Sequence, residues 1–214
     1  MADALESILL TLAALLPIVN PLGTAPIFLA MSADLPHAAR QHLAAVVARN
    51  ALVLLAAAML VGSYVLAFFG ISLPVVRVAG GMVLLATGWR LLHAGDEPDA
   101  PPTVVSEAWE REVERRAFYP LTFPLTVGPG SISIAVTLGA RGDARPFLVV
   151  LLTNLVGAAV VSLAVYLSYR FASRLISVLG ETGVHVFLRL SAFILLCVAV
   201  GILWSGIAGL VAEM

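Results

Sequence analysis

Uncharged, strongly apolar runs separated by short charged stretches organise this chain. The runs cover 7–33, 51–76, 117–140, 146–169 and 190–212, and each exceeds the roughly 20 apolar residues that a helix needs to cross a bilayer. A sixth span runs from Leu73 to about Leu92 if Arg77, one turn inside it, is accepted. The polar connections between them are 34–42, 70–72, 93–116, 141–145 and 170–185, of which only the third is long. Six helices of about 20 residues use about 120 residues, so the rest of the 214 can form only loops and helix ends. An all-α, polytopic integral membrane protein is predicted, with no room for a sizeable catalytic domain outside the bilayer.

Composition agrees: 61% of residues are hydrophobic and 12% charged, with a mean hydropathy of +1.03, whereas soluble domains carry about 25% charge. Asp3 and Glu6 stand where a cleaved secretory leader has its basic region, so the first span is expected to be retained. All 12 basic residues are Arg, and with 13 acidic ones the net charge is −1. No basic patch points to nucleic acid. The single Cys197 lies in an apolar run, which excludes an internal disulfide and a multi-cysteine metal site and reads as inert filler. Connections one, three and five with their flanks hold nine of the arginines, Arg40, Arg49, Arg90, Arg111, Arg115, Arg116, Arg170, Arg174 and Arg189; Arg77, Arg141 and Arg145 lie opposite. Positive residues stay cytoplasmic, which places both termini outside the cytoplasm.

The long connection divides in two. Asp96, Glu97, Pro98, Asp99, Pro101 and Pro102 read as an extended acidic linker. From Ser106 to Arg116, helix formers carry Glu107/Arg111 and Glu112/Arg116 pairs at i,i+4, with Trp109 and Val113 on one side. That pattern predicts an interfacial helix feeding span four; a solvated charge run is the alternative. The chain thus divides into 1–93, a 94–116 linker and 117–214.

Spans one and four share a defect. The first contains Asn20-Pro21-Leu22-Gly23-Thr24 and the fourth Pro120, Pro124 and Gly128-Pro129-Gly130-Ser131. Proline in a helix interior removes a donor and clashes with the preceding turn, at about 3 kcal/mol, and the freed backbone groups need a protein or water lining. Ile8 to Asn20 and Phe118 to Gly128 correspond to roughly 18 and 15 Å of helix in a core about 30 Å thick, so both breaks are expected near the midplane. Pro21 and Pro129, Asn50 and Asn154, and Arg77 and Arg189 are separated by 108, 104 and 112 residues. Three spans per half would make the halves inverted repeats, the arrangement that marks a secondary transporter's site.

The chemistry of a break follows from its loose backbone ends. Asn20-Pro21 has the form of a helix start, with Asn as N-cap and Pro at the first helical position, and Gly128-Pro129 repeats it. Two half-helix N-termini at one depth favour an anionic group. Gly23 and Gly130 allow close approach, and Thr24, Thr126, Ser131 and Ser133 supply hydroxyls. Released carbonyls could instead hold sodium, or water could carry a proton. A single proline kink repaired by neighbouring helices is an equally good reading of one break; two in corresponding positions favour the site.

Segments 18–28 and 119–132, which hold these two motifs, resemble the signature stretches of the MarC family. These are six-helix bacterial and archaeal inner-membrane proteins whose members include SnatA-type neutral amino acid transporters. The likeness covers essentially the whole chain. It implies a secondary transporter or exporter of small solutes, small neutral amino acids among them, in the cell inner membrane. A zwitterion fits the motif chemistry, its carboxylate on the half-helix N-termini and its ammonium on released carbonyls.

Other polar residues have double readings. Arg77 and Arg189 can snorkel to headgroups or serve as gate or charge partner. Asn154, deeper than Asn50, can bond between helices or face the substrate. His37, His42, His93 and His185 sit near span ends as solvated groups. Gly80, Gly81, Gly157, Ala158 and the series Gly201, Ser205, Gly209 read as packing faces. No carboxylate lies within a span and no HExxH or Ser/His constellation appears, so an enzyme is not expected, nor is a cofactor. A channel or a component acting through partners is the competing class, and oligomerisation stays open.

Overall fold

The computed structural model describes residues 2–93, 109–140 and 146–212. The acidic linker, residues 106–108, and Arg141 and Arg145 lie outside these. Among the described residues the structure is all helical. Helix α1 (Ala2–Val19) passes through Asn20 into α2 (Pro21–Met31), followed by α3 (His37–Phe68), α4 (Leu73–His93) and α5 (Trp109–Arg116). A widely wound segment, Ala117–Thr126, leads to α6 (Pro129–Gly139), then α7 (Phe147–Arg170) and α8 (Ala172–Ala212). Four stretches, Ala4–Leu29, His37–Phe68, Leu148–Arg170 and Ala192–Ala212, are long and apolar enough to cross a membrane. A fifth arises if Val113–Thr126 and Pro129–Gly139, bent by 73° at their junction, count as one span.

Two connections are shorter than the charge pattern suggests. Helix α3 begins at His37 and carries Arg40, Gln41 and Arg49 within it; at 32 residues and about 1.5 Å per residue it outruns the bilayer core. Charge marks where a helix leaves the apolar layer, not where it ends. Likewise Phe171 alone separates α7 from α8, and the expected loop 170–185 is helical except for a kink at Gly180, whose φ of 67° suits a residue without Cβ.

The halves interlock. Helix α1 packs on α7, the wide segment on α3, α2 on α8, α6 on α4, and the pairs α3–α7 and α4–α8 close the bundle. The main buried cluster joins Leu15, Phe28, Leu43, Leu55, Val113, Leu121, Val161 and Tyr169. Val113, expected at the lipid interface, is fully buried in it, so α5 docks on α3 and the wide segment. Arg116 at its end reaches Asp34 at 2.8 Å and the carbonyl of Met31 at 3.3 Å, placing a cation on the C-terminus of α2.

Close approach rests on particular glycines. A Cβ on Gly139 would stand 1.9 Å from the carbonyl oxygen of Met59, and one on Gly81 or Gly206 would press into the opposite helix of the α4–α8 pair. The series at Gly201, Ser205 and Gly209 is only partly a packing face: Gly209 meets Pro74, but Gly201 and Ser205 are exposed and Gly206 takes the contact instead. Gly139→Ala is accordingly expected to cost at least about 2 kcal/mol through overpacking against rigid backbone, whereas Gly201→Ala should change stability by less than about 1 kcal/mol. Reversible unfolding in mixed micelles checks both; equal effects would contradict the packing.

Candidate functional site

The first break is a single residue. Helix α1 still bonds through the Asn20 amide, 2.9 Å from the Leu16 carbonyl, and α2 resumes with the Thr24 amide 3.0 Å from the Asn20 carbonyl. Between them Asn20 adopts φ 44°, the left-handed region, which costs most L-residues about 1–2 kcal/mol and which Asn tolerates. Its side-chain oxygen accepts the Gly23 amide at 3.2 Å, as an N-cap does. A Cβ on Gly23 would fall 2.3 Å from the side-chain nitrogen of Asn20, so a larger residue there would displace the cap. Pro21, buried, takes the first helical position.

The second break is longer and different in kind. Residues 119–126 are a tandem repeat, Tyr-Pro-Leu-Thr followed by Phe-Pro-Leu-Thr. Tyr119 and Phe123 are extended, as residues before proline tend to be, and the Thr122 and Thr126 hydroxyls each donate to a carbonyl five residues back, Ala117 and Leu121, at 2.6 Å. An α-helical rise of 15 Å for this segment therefore does not apply. Gly128 then caps α6 in extended geometry with Pro129 at the first helical position. Helices α2 and α6 are each 11 residues long and each begin with proline.

Tyr169, near the end of α7, joins the two. Its hydroxyl lies 3.0 Å from the Thr24 hydroxyl and 2.8 Å from that of Thr126, and its ring stacks on Phe28 with centroids 4.3 Å apart. All are buried: Tyr169 and Thr126 at 1% exposure, Thr24 at 8%. Thr24 also reaches the Asn20 carbonyl at 3.1 Å, and Thr126 the Leu121 carbonyl. Thr24 also reaches the Pro21 carbonyl at 3.3 Å, so each of the three hydroxyls has at least two oxygen neighbours among which its proton is shared. A single opposite face closes the breaks with apolar groups: Ile18, just before the first, clusters with Leu84, Leu195, Ala199 and Ile202, and Leu84 covers Gly130 at the second.

The remaining candidates divide. Ser131 (1% exposed) and Ser133 (0%) are buried in the first turns of α6, and the Ser133 hydroxyl has no hydrogen-bond partner where it faces Gly80 of α4. Asn154 is 4% exposed and sits between helices, accepting from Thr11 at 3.0 Å and donating to the Leu138 carbonyl at 3.0 Å. Arg77 is half-buried on α4, Arg189 is exposed and precedes the apolar stretch of α8, and neither forms an ion pair among the described residues. His37, His42 and His93 are exposed, as is Cys197. Tyr169 was not among the sequence candidates. Beside Arg170 at a span end it reads as an ordinary interfacial aromatic, and its partners lie 145 and 43 residues away.

Broken helices tied at a shared hydroxyl define a polytopic helical membrane protein with a built interior. The chain belongs to the MarC family of integral membrane proteins, whose pattern it matches over residues 5–211. It is 30% identical to the UPF0056 inner membrane protein MarC of Citrobacter koseri, covering 97% of this chain and 96% of that one. A UPF0056 membrane protein of Methanocaldococcus jannaschii is also 30% identical, over 96% of this chain and 98% of its own length. The MarC protein of Salmonella typhimurium is 28% identical over 97% and 96%. No solved structure matches the chain.

The Asn20 geometry yields a graded expectation. Asn20→Gly should be tolerated within about 1 kcal/mol, since glycine keeps the left-handed backbone and is a fair cap, while Asn20→Ala should lose about 2 kcal/mol from strain and cap together. Unfolding midpoints of the two variants decide it; equal losses would contradict the assigned backbone.

Proposed function

We propose that the protein is a secondary transporter or exporter of small solutes, with small neutral amino acids as its substrate class, and that the two breaks form its binding region. The observation that carries this is the pairing of helix starts at Asn20-Pro21 and Gly128-Pro129 through Tyr169, Thr24 and Thr126. An ordinary proline kink needs only local repair. Here two restarted helices of equal length share one buried hydroxyl, which is a contact that can open without unfolding either.

The wider reading is six spans in two inverted halves: α1 with α2, α3 and α4, then α5 through α6, α7 and α8. The pattern of contacts supports it. Exchanging the halves turns α2–α8 into α6–α4 and α1–α7 into the wide segment on α3, and leaves α3–α7 and α4–α8 unchanged, and all of these contacts exist. Helix α4 carries Arg77 and Arg90 but at 21 residues is about 31 Å long, enough to cross. The arginine distribution orients both termini outside the cytoplasm.

A neutral amino acid suits the chemistry. The first turns of α2 and α6 offer amides and a partial positive end for a carboxylate; Asn20 and the hydroxyls of Thr24, Thr126, Ser131 and Ser133 add neutral polar contacts, and the carbonyls of the wide segment can accept from an ammonium. Coupling to sodium or protons is left to experiment, and the competing class, a channel, would conduct without saturating.

Purified protein in liposomes is expected to show saturable uptake of at least one neutral amino acid, tested with sodium and proton gradients. Asn20→Leu and Gly128→Leu, properly inserted, should reduce it by about tenfold or more. Normal transport by both variants would remove the breaks from the mechanism, and linear, non-saturating flux would favour a channel. In cells, Ala100→Cys in a Cys197→Ser background should be labelled only from the cytoplasmic side.

A further inference from the structure

A second polar site lies beyond the breaks, where α3 begins and α7 ends. A small pocket open to solvent is lined by His37, Arg40, Gln41, Tyr169, Arg170 and Ser173, with Leu29 of α2 as its apolar side. Tyr169 is thus shared: its hydroxyl faces Thr24 and Thr126, and the same residue forms part of this pocket's wall.

The donors here are in excess. One Arg40 amino group donates to the Leu35 carbonyl at 3.1 Å, but its Nε is buried with no hydrogen-bond partner, and an unmade bond of a buried charged donor is costly. Arg170 donates to the Tyr166 hydroxyl and lies over the Tyr166 and Phe171 rings, which fixes its guanidinium without neutralising it. His37 and Gln41 pair with one another at 2.9 Å. On α3, His37, Arg40 and Gln41 stand at i, i+3 and i+4 and so share one face of its first turns. Among the described residues neither Arg40 nor Arg170 has an acidic partner, and Asp34, the nearest in sequence to Arg40, is engaged by Arg116.

We propose that this pocket binds an oxyanion, held by the free Nε of Arg40 and the guanidinium of Arg170. A solute carboxylate and a lipid phosphate share that chemistry. Two guanidinium groups recognise either by charge-assisted hydrogen bonds. The assignment does not require the transport reading: it follows from the pocket's own donors. If transport holds, the site stands one side chain, Tyr169, away from the breaks.

The test uses the full chain in dodecyl maltoside, whose headgroup is uncharged, at constant ionic strength. The Arg40 Nε–H resonance, assigned by its disappearance in Arg40→Lys, is followed while acetate, inorganic phosphate or dihexanoyl phosphatidylglycerol is added against chloride. A saturable shift is expected, weakened about tenfold in Arg170→Gln, a change at an exposed residue that leaves the fold intact. Saturation at lower concentration by acetate identifies a carboxylate site, and by phosphatidylglycerol a lipid phosphate site. No shift beyond that caused by chloride, or equal affinity in Arg170→Gln, would overturn the proposal.

Discussion

The two broken helices of this molecule converge on the hydroxyl of Tyr169. A membrane-spanning helix normally satisfies its own backbone, and a chain that interrupts two of them must supply partners from elsewhere. At Asn20 the repair is local, a side-chain cap and a left-handed turn. In residues 117–126 it is also local, with threonine hydroxyls reaching carbonyls five residues back. What makes the two defects one structure is Tyr169, held by Phe28 and touching Thr24 and Thr126. Each of the three hydroxyls has a hydrogen-bond partner, so the junction is a satisfied buried network that joins the two breaks.

The surroundings of this junction differ from side to side. On one side the apolar cluster around Ile18, Leu84 and Ala199 seals the breaks; on the other Tyr169 separates them from a pocket rich in cationic donors. Helices α4 and α8 meet through glycines that leave no room for a Cβ. Closely packed backbones thus join α4 to α8, and hydroxyl contacts join the two breaks.

How much of this can be read from residues alone depends on how local the cause is. The helix starts at Asn20-Pro21 and Gly128-Pro129 were legible because capping and proline act within four residues, and the structure shows both. Helix ends were less so: charge located the edge of the apolar layer at Arg40 and Arg170, while the helices run through it. The wide winding after Ala117 was hidden because its cause, an aromatic-proline-leucine-threonine repeat, was read as prolines in a helix. Asn154 had two readings, and the structure shows its amide between Thr11 and Leu138. Tyr169 was invisible for a simpler reason: no sequence pattern links it to Thr24 and Thr126, and only the packing of α7 against both halves brings them together.

A thermodynamic cycle tests the Tyr169 junction most directly. Unfolding free energies of Thr24→Val, Thr126→Val and the double variant would be measured with Tyr169 present and again in Tyr169→Phe. With Tyr169 the two threonines should be coupled by about 0.5 kcal/mol or more, and without its hydroxyl they should be additive. Additivity in both backgrounds would show that the two breaks are independent, and the account of a single shared junction would fail.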